Sequence, residues 1–107
     1  LSLSIKARAV QIAFLCDLLA QEKHAVLMGD FNCEPEAGEM RALYDRAGLA
    51  RQGERVATFP SWEPRRAIDH ILVSSGIQVE KRWAFPGALS DHLPLAAELL
   101  LPADLLV

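Results

Sequence analysis

The segment Ala-Val-Leu-Met-Gly-Asp-Phe-Asn, residues 25–32, joins an apolar run to the polar residues that follow it directly. The run is continuous and is stopped by Gly29, which predicts a strand buried on both faces. Asp30 and Asn32 then lie at its carboxyl end, and side chains two apart on a strand point the same way. Phe31, between them, is expected to point into the core. Polar groups at the end of a buried strand are typical of the edge where a protein binds or reacts.

Two later segments place polar side chains beside apolar runs in the same way. They are Ile-Asp-His at residues 68–70 and Ser-Asp-His-Leu-Pro-Leu at residues 90–95. Asp69 and His92 lie far apart in the sequence, as the residues of an assembled site do. The alternative for each segment is structural, because Asp and Asn favour turns and helix caps and a loop His needs no function. The three segments together favour a site.

In this order, the three segments resemble the C-terminal signature of the endonuclease/exonuclease/phosphatase superfamily. These are metal-dependent phosphoesterases, which include DNase I-like nucleases, abasic-site endonucleases, sphingomyelinases and inositol polyphosphate phosphatases. The resemblance covers residues 1 to about 101. The segment Thr-Phe-Pro-Ser-Trp at residues 58–62, followed by the run at residues 68–74, looks most like the small bacterial members of the superfamily. It implies an α/β fold, the C-terminal half of a DNase I-like α/β sandwich, with one mixed sheet of about four strands and two helices on one face. Residues 1–107 are therefore expected to be a partial domain whose N-terminal part is missing.

The resemblance also implies roles for the residues of the site. Asp30 orients and deprotonates the attacking water, and Asn32 donates a hydrogen bond to the phosphate. His92 contacts the scissile phosphate and is held cationic by a hydrogen bond to Asp69. Asp91 is the candidate ligand of Mg²⁺, for which Mn²⁺ can substitute. The substrate is then a phosphate ester carried by a nucleic acid, a nucleotide, an inositol phosphate or a phospholipid headgroup.

Trp62, Arg65 and Arg66 precede Asp69 on a predicted loop. An Arg pair beside a Trp can bind a phosphate and stack on a base or ring, which makes these three candidate substrate-binding residues. The equal alternative is a solvated loop whose Trp covers the edge of the core. His70 follows Asp69 directly, so its side chain should face away from the site, which favours a buried structural role.

Two helices and four strands are predicted from the apolar pattern. Steps of four and three predict a helix from Ser4 to about Gln21, capped by Ser4. Its apolar stripe consists of Ile5, Ala9, Ile12, Cys16 and Leu19. A second helix is predicted from about residue 36 to residue 47, after a proline at its first turn. The strands are predicted at residues 25–28, 68–74, 78–85 and 95–101.

The overall composition narrows the classes of function. The chain has 107 residues, 51% of them hydrophobic, and a formal net charge of −3. That charge supplies no general basic surface, so duplex DNA is not favoured as a substrate unless a bound cation changes the local sign. Two cysteines without CxxC spacing give no disulfide framework, which predicts a reducing, cytoplasmic location. Charged residues interrupt the apolar stretches, so no membrane span is predicted.

Two rivals to the enzyme remain. The first is a non-catalytic half-domain that self-associates through an uncovered apolar sheet face, giving a homo-oligomer. The strand residues expected at or near that contact are Leu27, Ile71, Val73 and Leu95. The second is a module that binds phosphorylated ligands without turnover, against which the intact set of four catalytic candidates argues.

Overall fold

A computed structural model describes residues 1–87 and 89–106 of the chain. A long helix comes first, and short strands and turns follow it. The elements are α1 (Ile5–Leu19), β1 (Val26–Asp30), a 3₁₀ turn (Gly38–Met40) that runs into α2 (Arg41–Asp45), β2 (Leu49–Ala50), β3 (Asp69–Ser74), β4 (Gln78–Ala84), β5 (Leu95–Leu100) and a second 3₁₀ turn (Ala103–Leu106). Among these residues, no helix combines the length and the apolar character needed to cross a bilayer.

The strands form two antiparallel sheets. β3 is the centre of the first sheet, with β1 on one side and the two-residue β2 on the other, while β4 pairs with β5 in the second. The predicted α/β class is confirmed, but the single mixed sheet is wrong. An apolar run shows that a strand is buried and does not show which way its neighbour runs. The pairing of β4 with β5, and not with the preceding β3, was equally invisible in the sequence.

Both helices pack on the same face of the first sheet, as predicted. Leu27 lies opposite Leu72 in the β1–β3 register, and Leu49 of β2 joins them on that face. Ile12 and Cys16 of α1, together with Met40 and Leu43 from the second helical region, pack against these leucines in one buried cluster. Burial of this apolar area is the main stabilising term in a chain of this size.

The helix α1 is capped as predicted and buries the later part of its predicted stripe, but its first two turns differ. The Ser4 hydroxyl accepts a hydrogen bond from the third helical residue, whereas the stripe residues Ile5 and Ala9 are exposed. Arg8 is buried in their place, 6% exposed, and its guanidinium Nη2 lies 2.6 Å from the Glu39 carboxylate. Two backbone carbonyls also accept hydrogen bonds from this guanidinium. A charge with all its partners present can be buried, and apolar spacing alone does not predict that.

Two other elements differ from their predicted bounds. The second helix covers only Arg41–Asp45, because Gly38 opens a 3₁₀ turn and glycine is a poor helix former. The first strand extends to Asp30, and Met28 on it is 63% exposed, so burial on both faces is wrong for this strand. Part of the sheet face opposite the helices is therefore open to solvent.

We expect Arg8→Met to lower the free energy of unfolding by about 3 kcal/mol, because it leaves the Glu39 carboxylate buried without its partner. Urea denaturation of the 107-residue chain measures the change. Arg46→Met is the matched control, since Arg46 pairs with Asp17 at the surface and both side chains are more than half exposed. The control should change the stability by less than about 0.5 kcal/mol.

The loss of stability in acid provides a second measure of the ion pair between Arg8 and Glu39. The pKa of Glu39 lies below its ordinary value, because its own backbone N–H and then the Arg8 side chain hydrogen-bond the carboxylate. Stability from this depressed pKa is complete above the ordinary value and is lost as pH falls through the lower folded value. The wild-type chain should therefore lose more stability than Arg8→Met between pH 5 and strong acid. Parallel losses would contradict the buried pair.

Candidate active site

The β1–β3 register brings two of the predicted acidic residues together. Asp30 ends β1 and Asp69 begins β3, and the two lie directly opposite each other in the antiparallel pair. Residues opposite in such a pair project from the same face of the sheet, a few ångströms apart. The two carboxylates therefore share one end of the face that does not carry the helices.

His92 completes this cluster from the loop before β5. Its Nδ1 lies 2.7 Å from Asp69 Oδ2, the hydrogen bond that the sequence predicted. An ionised carboxylate can only accept, so Nδ1 carries the proton and donates it to Asp69. The other nitrogen, Nε2, faces Asp30 Oδ2 at 3.6 Å, which is too long for a hydrogen bond. A third oxygen atom can therefore approach Nε2 from the cleft.

The surroundings of His92 favour its cationic form. The hydrogen bond to Asp69 raises the pKa of His92, burial opposes this, and the charges of Asp69, Asp30 and Asp91 add to the rise. The ring of Phe59 packs on the imidazole with centroids 4.9 Å apart, which limits its rotation. When protonated, the imidazole holds one N–H on Asp69 and directs the other into the cleft.

Asp30, Asp69 and His92 line a mostly apolar cleft of about 480 Å³, to which Ser90 and His70 also contribute. Its apolar walls come from the two sheets and from the loop before β5. They include Met28, Ile71, Leu93, Pro94 and Leu95. A cleft of this kind concentrates the electrostatic effect of the few charged groups that it contains.

Asn32 is placed differently from the prediction. The strand ends at Asp30, and Asn32 adopts a left-handed conformation with φ 53°, so the alternation of a strand no longer applies. Its backbone N–H donates to Asp30 Oδ1 at 2.9 Å, and its side-chain amide donates to the carbonyl of Leu1. Asn32 therefore fixes Asp30, and its amide keeps a second N–H. Phe31 is buried, 2% exposed, as predicted.

Asp91 does not join the cluster. It is exposed, and its Oδ1 lies 3.2 Å from the Ser90 hydroxyl. The backbone of Asp91 is nevertheless bonded to the turn beside the site, because its carbonyl accepts a hydrogen bond from Ser61 N–H at 2.8 Å. Its role as a metal ligand stays a prediction.

The candidate substrate residues lie on an exposed turn beside the site. Trp62 is 73% exposed, and Arg65 and Arg66 are exposed as well; none of the three lines the cleft. Arg65 forms an ion pair with Glu63 at 2.6 Å. The solvated-loop alternative thus describes their present arrangement, and the notion of a Trp covering the core edge is wrong.

His70 is a buried structural residue, as predicted. It is 2% exposed, and its Nε2–H donates to the carbonyl of Cys33 at 2.7 Å. Burial lowers the pKa of His70, which favours the neutral imidazole. Cys33 is buried too, and burial raises the pKa of its thiol, so its environment does not favour a thiolate nucleophile.

Sequence reasoning missed two residues that hold the site together. The Thr58 hydroxyl donates to Asp69 Oδ2 at 2.5 Å, and Thr58 is completely buried. The Glu34 carboxylate accepts from Arg55 Nε at 2.7 Å and from the Ala67 backbone N–H at 2.8 Å, which ties the long loop to the segment after β1. Neither contact follows a periodic spacing, so a single sequence contained no signal for them.

The acid and imidazole cluster could hold a metal ion. One ligand atom from each of Asp30, Asp69 and His92 can be chosen so that all lie within 4.8 Å of one another. Carboxylate oxygens suit Mg²⁺ and Mn²⁺, whereas the imidazole suits softer metals. Because Asp69 and His92 already hydrogen-bond each other, Asp30 is the carboxylate most available to a hard cation.

The sequence profile of the Endonuclease/Exonuclease/phosphatase family matches residues 3–92, and the chain belongs to that family. The family is hydrolytic and includes nucleases and phosphatases. No curated protein sequence matches the chain significantly.

Solved structures show the same fold. A functionally unknown conserved protein from Enterococcus faecalis V583 aligns with 24% identity and a TM-score of 0.75, over 91% of this chain and 45% of its own. A mannosyl-6-phosphatase from Bacteroides thetaiotaomicron VPI-5482 aligns with 24% identity and a TM-score of 0.72, over 92% and 47%. An endonuclease/exonuclease/phosphatase from Bacteroides vulgatus gives 23% and 0.74, over 90% and 44%. The chain thus spans less than half the length of these proteins.

We expect His70→Leu to destabilise the chain by about 1–3 kcal/mol, because it leaves the Cys33 carbonyl buried without a donor. Thermal and urea unfolding measure the loss. His70→Gln keeps an N–H donor of similar reach and should recover part of it. If His70→Leu were as stable as the wild type, the hydrogen bond would not be what holds the segment after β1.

Proposed function

We propose that this chain is one half of the catalytic domain of a metal-dependent phosphoesterase, which hydrolyses phosphodiesters or phosphomonoesters with an activated water. The observation that carries the proposal is the Asp69–His92 hydrogen bond of 2.7 Å, with Nε2 directed toward Asp30 across a 3.6 Å gap. This arrangement supplies a proton acceptor and a cationic donor on either side of one space. Phosphoryl transfer to water needs both.

Asp30 is the proposed general base. Its carboxylate is oriented by the Asn32 backbone N–H on Oδ1, which leaves Oδ2 for a water in the cleft. It orients that water and accepts its proton as the water oxygen bonds to phosphorus, while the P–O bond to the ester oxygen breaks and that oxygen takes up a proton from solvent. No covalent enzyme intermediate is proposed, since burial raises the pKa of the Cys33 thiol and so disfavours a thiolate nucleophile.

His92 is the proposed electrophilic partner. Its Nε2–H donates to an oxygen of the scissile phosphate, and Asp69 holds the imidazolium in place through Nδ1. The spare N–H of the Asn32 amide is the second proposed donor to the phosphate. Donors fixed before the reaction stabilise transition-state charge more than mobile ones do.

A divalent cation is part of the proposal, for an electrostatic reason. Two carboxylates and one imidazole form the cluster, so a phosphate anion meets more negative than positive charge there. Mg²⁺, or Mn²⁺ in its place, supplies the missing positive charge when it is bound. Asp91 is the proposed protein ligand in this chain, since Oδ2 of Asp30 is assigned to the water, and hard cations need more oxygen ligands than this one side chain provides.

The remaining ligands are proposed to come from a longer protein in which residues 1–107 are the C-terminal part of one domain. The structural relatives are about twice as long as this chain, which supports that proposal. We further propose a cytoplasmic location, consistent with two buried cysteines that form no disulfide.

The substrate class is proposed as a phosphate ester whose organic group reaches the turn at Trp62. The exposed Trp62 ring can stack on a base or ring, and Arg66 can contact a second phosphate. A nucleic acid, a nucleotide, an inositol phosphate and a phospholipid headgroup all meet this description. One structural relative is a mannosyl-6-phosphatase, so phosphomonoesters of sugars belong in the test set.

We expect Asp30→Asn and His92→Ala, made in the full-length protein, each to lower kcat about a thousandfold or more, because both act on charge in the transition state. Hydrolysis of bis-p-nitrophenyl phosphate and p-nitrophenyl phosphate with Mg²⁺ measures it, and EDTA should abolish the activity. Asp45→Asn is the matched control, since Asp45 is an exposed carboxylate on α2 paired only with Arg41. Near-normal turnover in either site variant contradicts the assignment.

Self-association is a second candidate behaviour of the chain, and a specific observation favours it. Met28 on the open sheet face is 63% exposed, and α1 exposes an apolar stripe at Val10, Phe14 and Leu18. Of the strand residues predicted at the contact, Ile71 and Val73 are buried within the chain itself, so they are not available to a partner. The packing of β5 beside β3 explains this, because part of the face is already covered.

We therefore expect sedimentation of the chain at tens of micromolar to show a dimer or larger species, and Met28→Ser to shift it toward monomer. Burial of an apolar patch stabilises association by roughly 25 cal/mol per Å² before entropy is subtracted. Lys6→Ser, at an exposed position on α1, is the control. A monomer at every concentration would show that the open face needs no cover.

A further inference from the structure

We propose that Thr58 is a positioning residue for His92, acting through Asp69. The inference rests on the proposed role of His92, and it adds a residue to which the sequence motifs assign no function. Thr58 is completely buried, and its hydroxyl lies 2.5 Å from Asp69 Oδ2. The same oxygen accepts the Nδ1–H of His92 at 2.7 Å. One carboxylate oxygen is thus held between two donors.

The direction of each hydrogen bond follows from the chemistry of the groups. An ionised carboxylate has no proton to give, so the hydroxyl of Thr58 must donate to it, as His92 does. A hydroxyl has one proton, and here that proton is used on Asp69. The bond fixes the plane of the carboxylate, and the carboxylate in turn fixes the imidazole ring. Valine has nearly the same shape and could not do this.

Thr58 also holds the backbone on which His92 is mounted. Its carbonyl accepts the N–H of Leu93 at 2.8 Å, and its own N–H donates to the carbonyl of Arg66 at 3.0 Å. The next residue, Phe59, packs its ring on the imidazole. Position 58 therefore reaches His92 through Asp69, through Leu93 and through Phe59, but only the hydroxyl contact with Asp69 depends on the residue being Thr.

The consequence is a fixed direction for His92 Nε2. With Oδ2 of Asp69 held toward the imidazole, Nε2 stays directed at the cleft and at Asp30, 3.6 Å away. Without the hydroxyl, the Asp69 side chain can turn and release Nδ1, because its carboxylate loses one of its two side-chain donors. A displaced imidazole donates poorly to a phosphate, even if the fold is unchanged.

Nuclear magnetic resonance of the 107-residue chain tests this without any turnover. At one fixed pH, we expect the His92 Nδ1 proton to exchange slowly with water in the wild type and in Thr58→Ser. In Thr58→Val it should exchange about tenfold faster or more, the effect of weakening one hydrogen bond to a charged group. Unchanged exchange in Thr58→Val overturns the proposal.

Ser74→Ala is the matched control, because it removes a different buried hydroxyl, on the strand β3 that carries Asp69. The Ser74 hydroxyl accepts the Ala25 N–H at 2.9 Å, at the end of β3 opposite to Asp69, so His92 should exchange as in the wild type. If Ser74→Ala accelerates exchange as much as Thr58→Val, the effect is general loosening, and the proposal is wrong.

The unaltered chain gives an answer even if Thr58→Val does not fold. Cross-relaxation between the Thr58 hydroxyl proton and the His92 Nδ1 proton is expected, because both donate to one oxygen. Absence of a slowly exchanging Thr58 hydroxyl, or of that cross-peak, contradicts the proposal.

In the active full-length protein, Thr58→Val should lower kcat about tenfold to a hundredfold with little change in KM, and Thr58→Ser should restore it. Inactivity of the wild type would contradict the proposed function and leave the resonance result standing.

Discussion

The antiparallel pairing of β1 with β3 is the constraint on which the site depends. It sets Asp30 opposite Asp69, two carboxylates that would repel each other if both were ionised and unpartnered. The chain offsets that repulsion locally, since Asn32 N–H bonds one carboxylate and His92 with Thr58 bonds the other. A slip of the register by one residue would turn one carboxylate to the sheet face that the helices cover and would separate the two carboxylates.

Buried polar groups in this small chain mark the places where loops are held. Arg8 with Glu39 joins α1 to the turn before α2, and His70 holds the segment after β1 through the Cys33 carbonyl. Glu34, which is only partly buried, performs the same task for the long loop. Polar contacts thus join loops and turns to the core, beside the apolar packing.

The exposed apolar surface of the chain can be compared with the longer structures that the chain matches. The chain covers less than half of its structural relatives and buries much of the sheet face opposite the helices with its own β5. Met28 stays open on that face, beside the cleft that carries the acid and imidazole groups. The apolar surface and the acid and imidazole groups thus occur at neighbouring places in the molecule.

The sequence by itself determined the family, the α/β class, the helix cap at Ser4, the strands near residues 69–74, 78–84 and 95–100, and the pairing of Asp69 with His92. These are encoded in local motifs, or in a resemblance that local motifs carry. Only the tertiary structure decided the antiparallel sheets, the burial of Arg8, the left-handed turn that removes Asn32 from the strand, and the hydroxyl of Thr58 on Asp69. Each of these depends on partners distant in sequence, and a polar residue is buried only when those partners are present, which no periodicity within one segment can reveal.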